Sequence, residues 1–418
     1  MPRRPRTLNV WLHDDHVATV SGTRPGEAKL RYADNARELA PLGTPLLSCS
    51  LPIRSQLQDA YPFLTGLLPE GRHRAVMAGM AGVPTHDVIG MLARFGRDVA
   101  GAITLATAES RHRAGARVAP LDDAGLEDAV ADIDDHPLGL YDDSELSLPG
   151  LQDKLLLVAL PDGQWGRPVH GWPSTHLLKL DDRRRPGLVR AEHACLQLAA
   201  AAGLRAAHSE LMTVAGIECL LVTRFDREPA PPGLDGTLRP AARLHQEDAC
   251  QALGIDPDRN QGRAKYEQYG GPSLQRIAAL LDAYAGPDEL LELLEQVTFT
   301  VAIGNADAHG KNHGLLHPAP ATVRLAPLYD TVPTIAWPKL RAQLALNIAG
   351  HVDLLRVGAD DLVAEAARWG VATHVARAHV LDVLERLHSA LGTAALPQDS
   401  PAVALVADRI LGLLDQAR

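Results

Sequence analysis

The stretch "IGNADAHGKNHGLL" at 303–316 places Asn305, Asp307, His309, Lys311, Asn312 and His313 directly after an apolar helical segment. So dense a polar cluster reads as a metal site, a phosphate-handling loop, or a helix end dissolving into solvent. Asp307 and Asn312 are five residues apart, with Gly310 between them. A phosphotransferase needs one carboxylate to orient the attacking hydroxyl and an Asn a few residues on to ligate Mg²⁺. "YDTVP" at 329–333 adds Asp330. Mg²⁺ takes few protein oxygens and keeps phosphates and waters as its other ligands, so Asn312 with Asp330 is a suitably sparse set. His309 and His313 stand at i and i+4, a zinc spacing only on a continuous helix, and Gly310 in the gap argues against one. A solvated helix end accounts for His309 and Lys311 but not for Asp330.

The remainder of the chain bounds these choices. Its 418 residues allow two or three domains with sizeable cores. A hydrophobic content of 46% with 22% charged residues is that of an ordinary globular protein. The formal net charge of −10 argues against binding nucleic acid by general electrostatics; a DNA role would need a local basic patch or a partner. Cys49, Cys195, Cys219 and Cys250 lie far apart, which is neither a disulfide framework nor a zinc spacing and points to a reducing cytoplasm. No apolar run is long enough to span a bilayer, and the basic start has no apolar segment after it. Arginine outnumbers lysine 35 to six, so each lysine is a candidate for a place where a compact ammonium is wanted. Three of them, Lys154, Lys179 and Lys311, fall within polar clusters.

Alternation of Leu8, Val10 and Leu12 predicts strands over 7–36, and a further strand pair is expected around "LRYAD" and "PLLSCSLPI". Helical patterns fill 57–107, and a polar Gly/Pro boundary is expected near 109–128. Strands follow at "KLLLVAL" and "THLLKL", then a helix at "GLVRAEHACLQLAAAAG" closed by Gly203. Two more strands are expected at "HSELMTVAG" and "IECLLVTRF", and helices after 245. The domain boundaries expected are 1–110, 111–228 and 229–418, the last an all-helical lobe.

Two further clusters carry chemistry. "SLPGLQDKLLL" at 147–157 makes a tight turn at Ser147, Pro149 and Gly150 whose backbone N–H groups can cradle phosphate oxygens, with Lys154 nearby. It is no Walker motif, and alone it is an ordinary turn. In "STHLLKL", Lys179 ends an apolar strand, where an ammonium needs a phosphate or a carboxylate such as Glu192. The bland alternative is a lysine snorkelling to a strand edge.

The ordered set "SLPGLQDK", "HLLKL", "EHACLQLAAAAGL", "LLVTRFDR", "LHQEDACQALG", "KYEQYGGPS", "NADAHGKNHGLL" and "LAPLYDTVP" resembles the HipA family of serine/threonine kinases, toxin halves of toxin–antitoxin pairs. "LNVWL" resembles the start of that family's small N-terminal domain. The resemblance implies an α+β, two-lobed protein-kinase-like fold with a small mixed α/β N-terminal subdomain. It implies Asp307 at the substrate hydroxyl, Asn312 and Asp330 on Mg²⁺, and Lys179 at the phosphates of ATP. The implied ATP site also takes in Ser147, Gly150, Gln152, Lys154, His309, Lys311 and Tyr329, with backbone groups of Thr223 and Phe225 at the adenine. Ser147 matches the autophosphorylated serine of the family, although proline stiffens its loop here. Implied partners are a small DNA-binding antitoxin (HipB-like), through which DNA is met indirectly, and a protein substrate of the aminoacyl-tRNA synthetase class. The competing readings are a kinase-shaped co-repressor and a small-molecule phosphotransferase.

Overall fold

The alternating apolar residues of the N-terminus form the strand Arg6–Leu12, which turns at His13 and pairs antiparallel with Asp15–Gly22. A computed structural model of the chain describes residues 6–107, 115–134, 136, 138–141, 143–150, 152–182, 184–231, 233, 237–392, 394, 396 and 401–418. Its contacts divide it into two compact units. The first comprises Met1–Leu180, Met212–Pro257 and Leu316–Ala321; the second comprises Asp181–Leu211, Asp258–Leu315 and Thr322–Arg418.

In the first unit, the opening hairpin belongs to a five-stranded sheet in the order Gln58–Asp59, Lys29–Tyr32, Asp15–Gly22, Arg6–Leu12, Ile103–Ala106. The helix Val88–Phe95 begins where the Asp87 side chain accepts from Gly90 N–H, and it buries Ile89, Leu92 and Phe95 against the sheet. The strand expected at "PLLSCSLPI" does not form. Pro45 and Pro52 lack ladder donors, and Leu46, Leu47, Leu51 and Ile53 are instead buried from an irregular loop. The same apolar core continues through Leu146, Leu148 and Leu156.

A second sheet follows in the order Ser209–Val214, Ile217–Thr223, His176–Leu180, Lys154–Ala159, Trp165–Val169, Arg117–Leu121. Its edge strand Arg117–Leu121 and the helix Asp123–Ala131, capped by Asp122, occupy part of the stretch expected to be a boundary. Pro120 and the half-exposed pattern of that strand hide it from a periodicity reading; residues 109–114 of the expected boundary lie outside the described residues.

The second unit is built around Pro287–Ile303, which packs on Thr373–Leu391 and Pro401–Ala417. Leu188–Ala201 also packs on Thr373–Leu391, and Gly203 follows it in the left-handed region. The C-terminal stretch is not all-helical as expected: it contains the strands Gly314–Ala319, Thr322–Leu325, Gln343–Ile348 and His351–Asp353. The last two are joined at Ala349-Gly350, both at positive φ, the backbone a two-residue hairpin requires.

Candidate active site

Helix Pro287–Ile303 stops at Gly304, whose φ of 79° no β-carbon opposes. The chain that leaves it is fastened at once. Ala306 N–H donates to Thr334 Oγ1 at 2.8 Å, and Asn305 Oδ1 accepts Asp307 N–H at 3.0 Å. Asp307 is thereby presented at the surface. Tyr266 Oη donates to its Oδ1 at 2.8 Å. Desolvation raises the Asp307 carboxyl above its ordinary value and the Asp330 charge adds to this, against the Tyr266 hydrogen bond and the cations Lys265 and Arg185.

Gly310–Asn312 forms a single 3₁₀ turn rather than a continuous helix, which removes the i, i+4 zinc geometry from His309 and His313. His309 packs edge-on against Tyr266, with ring centroids 5.4 Å apart. His313 is buried, and that burial pushes it down to about 4, so it is neutral at pH 7. Asn312 Nδ2 reaches Asp330 Oδ2 at 3.3 Å, and Tyr329 Oη donates to the Lys311 carbonyl at 2.7 Å. Asp330 stands at φ 57°, in the left-handed region, a conformation that non-glycine residues adopt at a cost and that recurs at functional sites. One amide and one carboxylate together make the sparse oxygen set that suits Mg²⁺.

The first unit holds the other expected residues. Lys154 and Lys179 are register partners on adjacent antiparallel strands, so their side chains share a face of the sheet, and both are buried. They thus bring two cationic side chains to one face of the sheet. Lys154 Nζ donates to the Pro149 carbonyl at 3.0 Å, and Gln152 Nε2 to the Leu180 carbonyl at 3.1 Å. Gly150 takes φ 123°, and a β-carbon there would collide with the Lys154 ammonium. Ser147 is fully buried; its Oγ donates to the Leu67 carbonyl and its N–H to the Asp98 carbonyl, both at 2.9 Å. Thr223 ends its strand opposite His176, and Phe225 is half-buried two residues on. Glu192 is buried on Leu188–Ala201 in the second unit.

The family models described as "HipA-like C-terminal domain" and "HipA N-terminal domain" match residues 146–391 and 8–106. The protein Y4mE of Sinorhizobium fredii is 34% identical over 423 residues, 97% of each chain. The chain belongs to the HipA family. The serine/threonine-protein kinase toxin HipA of Shewanella oneidensis is 26% identical over 378 residues, 85% of each chain. A solved complex of HipA, HipB and operator DNA from that organism matches with a TM-score of 0.80 at 24% identity, covering 98% of this chain and 96% of that one. The kinase-like α+β fold expected from the sequence is therefore the fold of this HipA-family chain.

Three features of this HipA-family chain escaped the sequence reading. Lys265, buried, and Tyr266 flank Asp307 from a segment 41 residues upstream. The scarcity of lysine was the available signal for Lys265; nothing local marks Tyr266. Arg185, in the charged run 181–187, adds its charge to Asp307. The third is a buried network in which Arg224, Asp226 and Arg227 of "RFDR" meet Asp98 and Arg243.

Proposed function

We propose that this chain is an ATP- and Mg²⁺-dependent serine/threonine protein kinase that acts as the toxin of a toxin–antitoxin pair. The observation that carries this reading is the contact of Asn312 with Asp330 at 3.3 Å, with Asp307 near enough for the two carboxylates to repel. Asp307 would accept the hydrogen bond of the substrate serine hydroxyl and take its proton, with Tyr266 fixing the carboxylate's orientation. Asn312 and Asp330 would hold Mg²⁺, which when bound neutralises charge on the β- and γ-phosphates. Lys154 and Lys179 would meet phosphate oxygens, and Glu192 would orient Lys179 in the manner of a strand-lysine and helix-glutamate pair. Backbone groups of Thr223 and Phe225 would grip the adenine, while Gly150 and Gln152 would shape the phosphate loop. His309, Lys311 and Tyr329 would border the nucleotide from the catalytic turn.

Ser147 would be the site of autophosphorylation. Its buried hydroxyl has no room for a doubly charged group, so modification requires the loop to leave its seat, and the phosphate then keeps it out. The resemblance to HipA supports a serine in an aminoacyl-tRNA synthetase as the target and a HipB-like antitoxin as the partner that brings DNA affinity. The net charge of −10 fits that division. No described helix is long and apolar enough to cross a membrane, and we place the activity in the cytoplasm.

The test is incubation of the purified chain with Mg²⁺ and labelled ATP beside Asp307→Ala, with phosphosites mapped by mass spectrometry. Label on Ser147 that vanishes in the variant is expected. A chain that neither binds nucleotide nor transfers phosphate overturns the reading.

A further inference from the structure

Cys49, Glu247 and His317 come from three distant parts of the first unit: the buried loop that follows Pro45, the strand His245–Asp248, and the strand Gly314–Ala319. The Cys49 sulfur, a Glu247 carboxylate oxygen and an imidazole nitrogen of His317 all lie within 4.8 Å of one another. The residues are 8%, 2% and 7% exposed. Glu247 Oε1 accepts the Cys49 backbone N–H and meets His317 Nε2, each at 2.9 Å. Glu247 Oε2 and His317 Nδ1 are buried with no hydrogen-bond partner among the described residues. A thiol, a carboxylate and an imidazole brought this close in a dry place, with two of their polar atoms unsatisfied, are costly unless something occupies them.

We propose that this trio is a zinc site. Thiolate, imidazole and carboxylate are the donors zinc takes, and three protein ligands leave the fourth position to water. The charges balance: one thiolate and one carboxylate offset Zn²⁺, and a neutral imidazole adds nothing, so the buried assembly is uncharged. Zinc binding would release the Cys49 thiol proton to solvent. The His245 ring lies beside the trio, 5.2 Å from the His317 ring between centroids. The site would fasten the Cys49 loop to the strand His245–Asp248, beside the place where Ser50 Oγ donates at 2.6 Å to the Gln251 carbonyl of the short helix Ala249–Ala252 that follows. None of its ligands belongs to the proposed phosphotransfer machinery, so the two readings stand or fall separately.

The experiment uses the full chain expressed with zinc supplementation, desalted, and assayed for bound metal by elemental mass spectrometry. About one zinc per chain is expected, lost in Cys49→Ser and in His317→Gln, with a thermal midpoint that falls on chelation in the wild type. Should either variant fail to fold, cobalt-substituted wild type decides: a thiolate-to-cobalt charge-transfer band is expected. Wild type without zinc or the cobalt band, or zinc retained in both folded variants, overturns the proposal.

Discussion

Arg227 donates through Nη2 to Asp98 Oδ1 at 2.9 Å, and neither side chain is more than 1% exposed. They belong to a wider network: Asp98 Oδ2 accepts from Ser174 Oγ, and Asp226 Oδ2 from Arg224, Arg227 and Gly101 N–H. Burial works to raise both carboxyls, but the guanidinium groups outweigh it and hold them below the ordinary range. Carboxyls depressed in the folded state contribute stability that is complete above their unfolded value, near pH ~4, and is lost as pH falls through the folded one. Asp98→Asn leaves buried guanidinium groups under-neutralised and is expected to cost about 3–5 kcal/mol. Urea unfolding at neutral pH measures this, and the variant's stability should decline less steeply than wild type below pH ~4.

The pH profile of phosphotransfer should carry the signature of Asp307. A base must be deprotonated to act, so a raised carboxyl places the acid limb at higher pH than an ordinary aspartate would. Tyr266→Phe removes a hydrogen bond that favours the ionised form, and its acid limb should therefore move further up. Asp307→Ala should lose roughly 10²–10⁴-fold in rate. Initial rates over a pH series, at saturating ATP, read all three; an unmoved limb in Tyr266→Phe rejects the assignment.

Gly150→Ala should separate nucleotide binding from folding. The new β-carbon meets the Lys154 ammonium and the residue is held at φ 123°. The Lys154 ammonium must shift from its place, so under its proposed role at the phosphates the KM for ATP should rise several-fold. Backbone strain at that φ costs on the order of 1–3 kcal/mol, which thermal unfolding reports independently.

Ser147→Ala should fold with a loss of only about 0.5–1.5 kcal/mol, the net worth of the hydrogen bond to Leu67. It should phosphorylate an added substrate while refusing phosphate itself. Limited proteolysis of phosphorylated wild type should cut near 147–154, where the unmodified chain resists.

What the sequence could reveal followed the range of each interaction. Asp307 and Asn312 stand five residues apart just after a helix end, so their proximity is visible locally, whereas Asn312 meets Asp330 across 18 residues. Lys154 opens one apolar run and Lys179 lies near the end of another, but nothing in either run marks them as register partners. Tyr266 reaches Asp307 across 41 residues and Arg227 reaches Asp98 across 129, and no local pattern encodes either meeting. The strand Arg117–Leu121 carries a proline and half-exposed side chains, and only its pairing with Trp165–Val169 makes it a strand. Conversely, Leu46, Leu47 and Leu51 looked strand-like because burial, not pairing, selected their hydrophobicity.

Asp330 sits where glycine would be at ease, at φ 57°. Replacing it with glycine relieves roughly 1 kcal/mol of backbone strain while loosening the unfolded chain by a similar amount, so Asp330→Gly should melt near the wild-type temperature and transfer no phosphate. Most routes to a dead enzyme also thin out the folded protein; this one does not. Under the proposed toxin reading, a cell escaping through that codon would keep a full complement of harmless protein, still shaped to occupy the proposed antitoxin and draw it away from other partners. Inactivation here would be silent in abundance and dominant in effect.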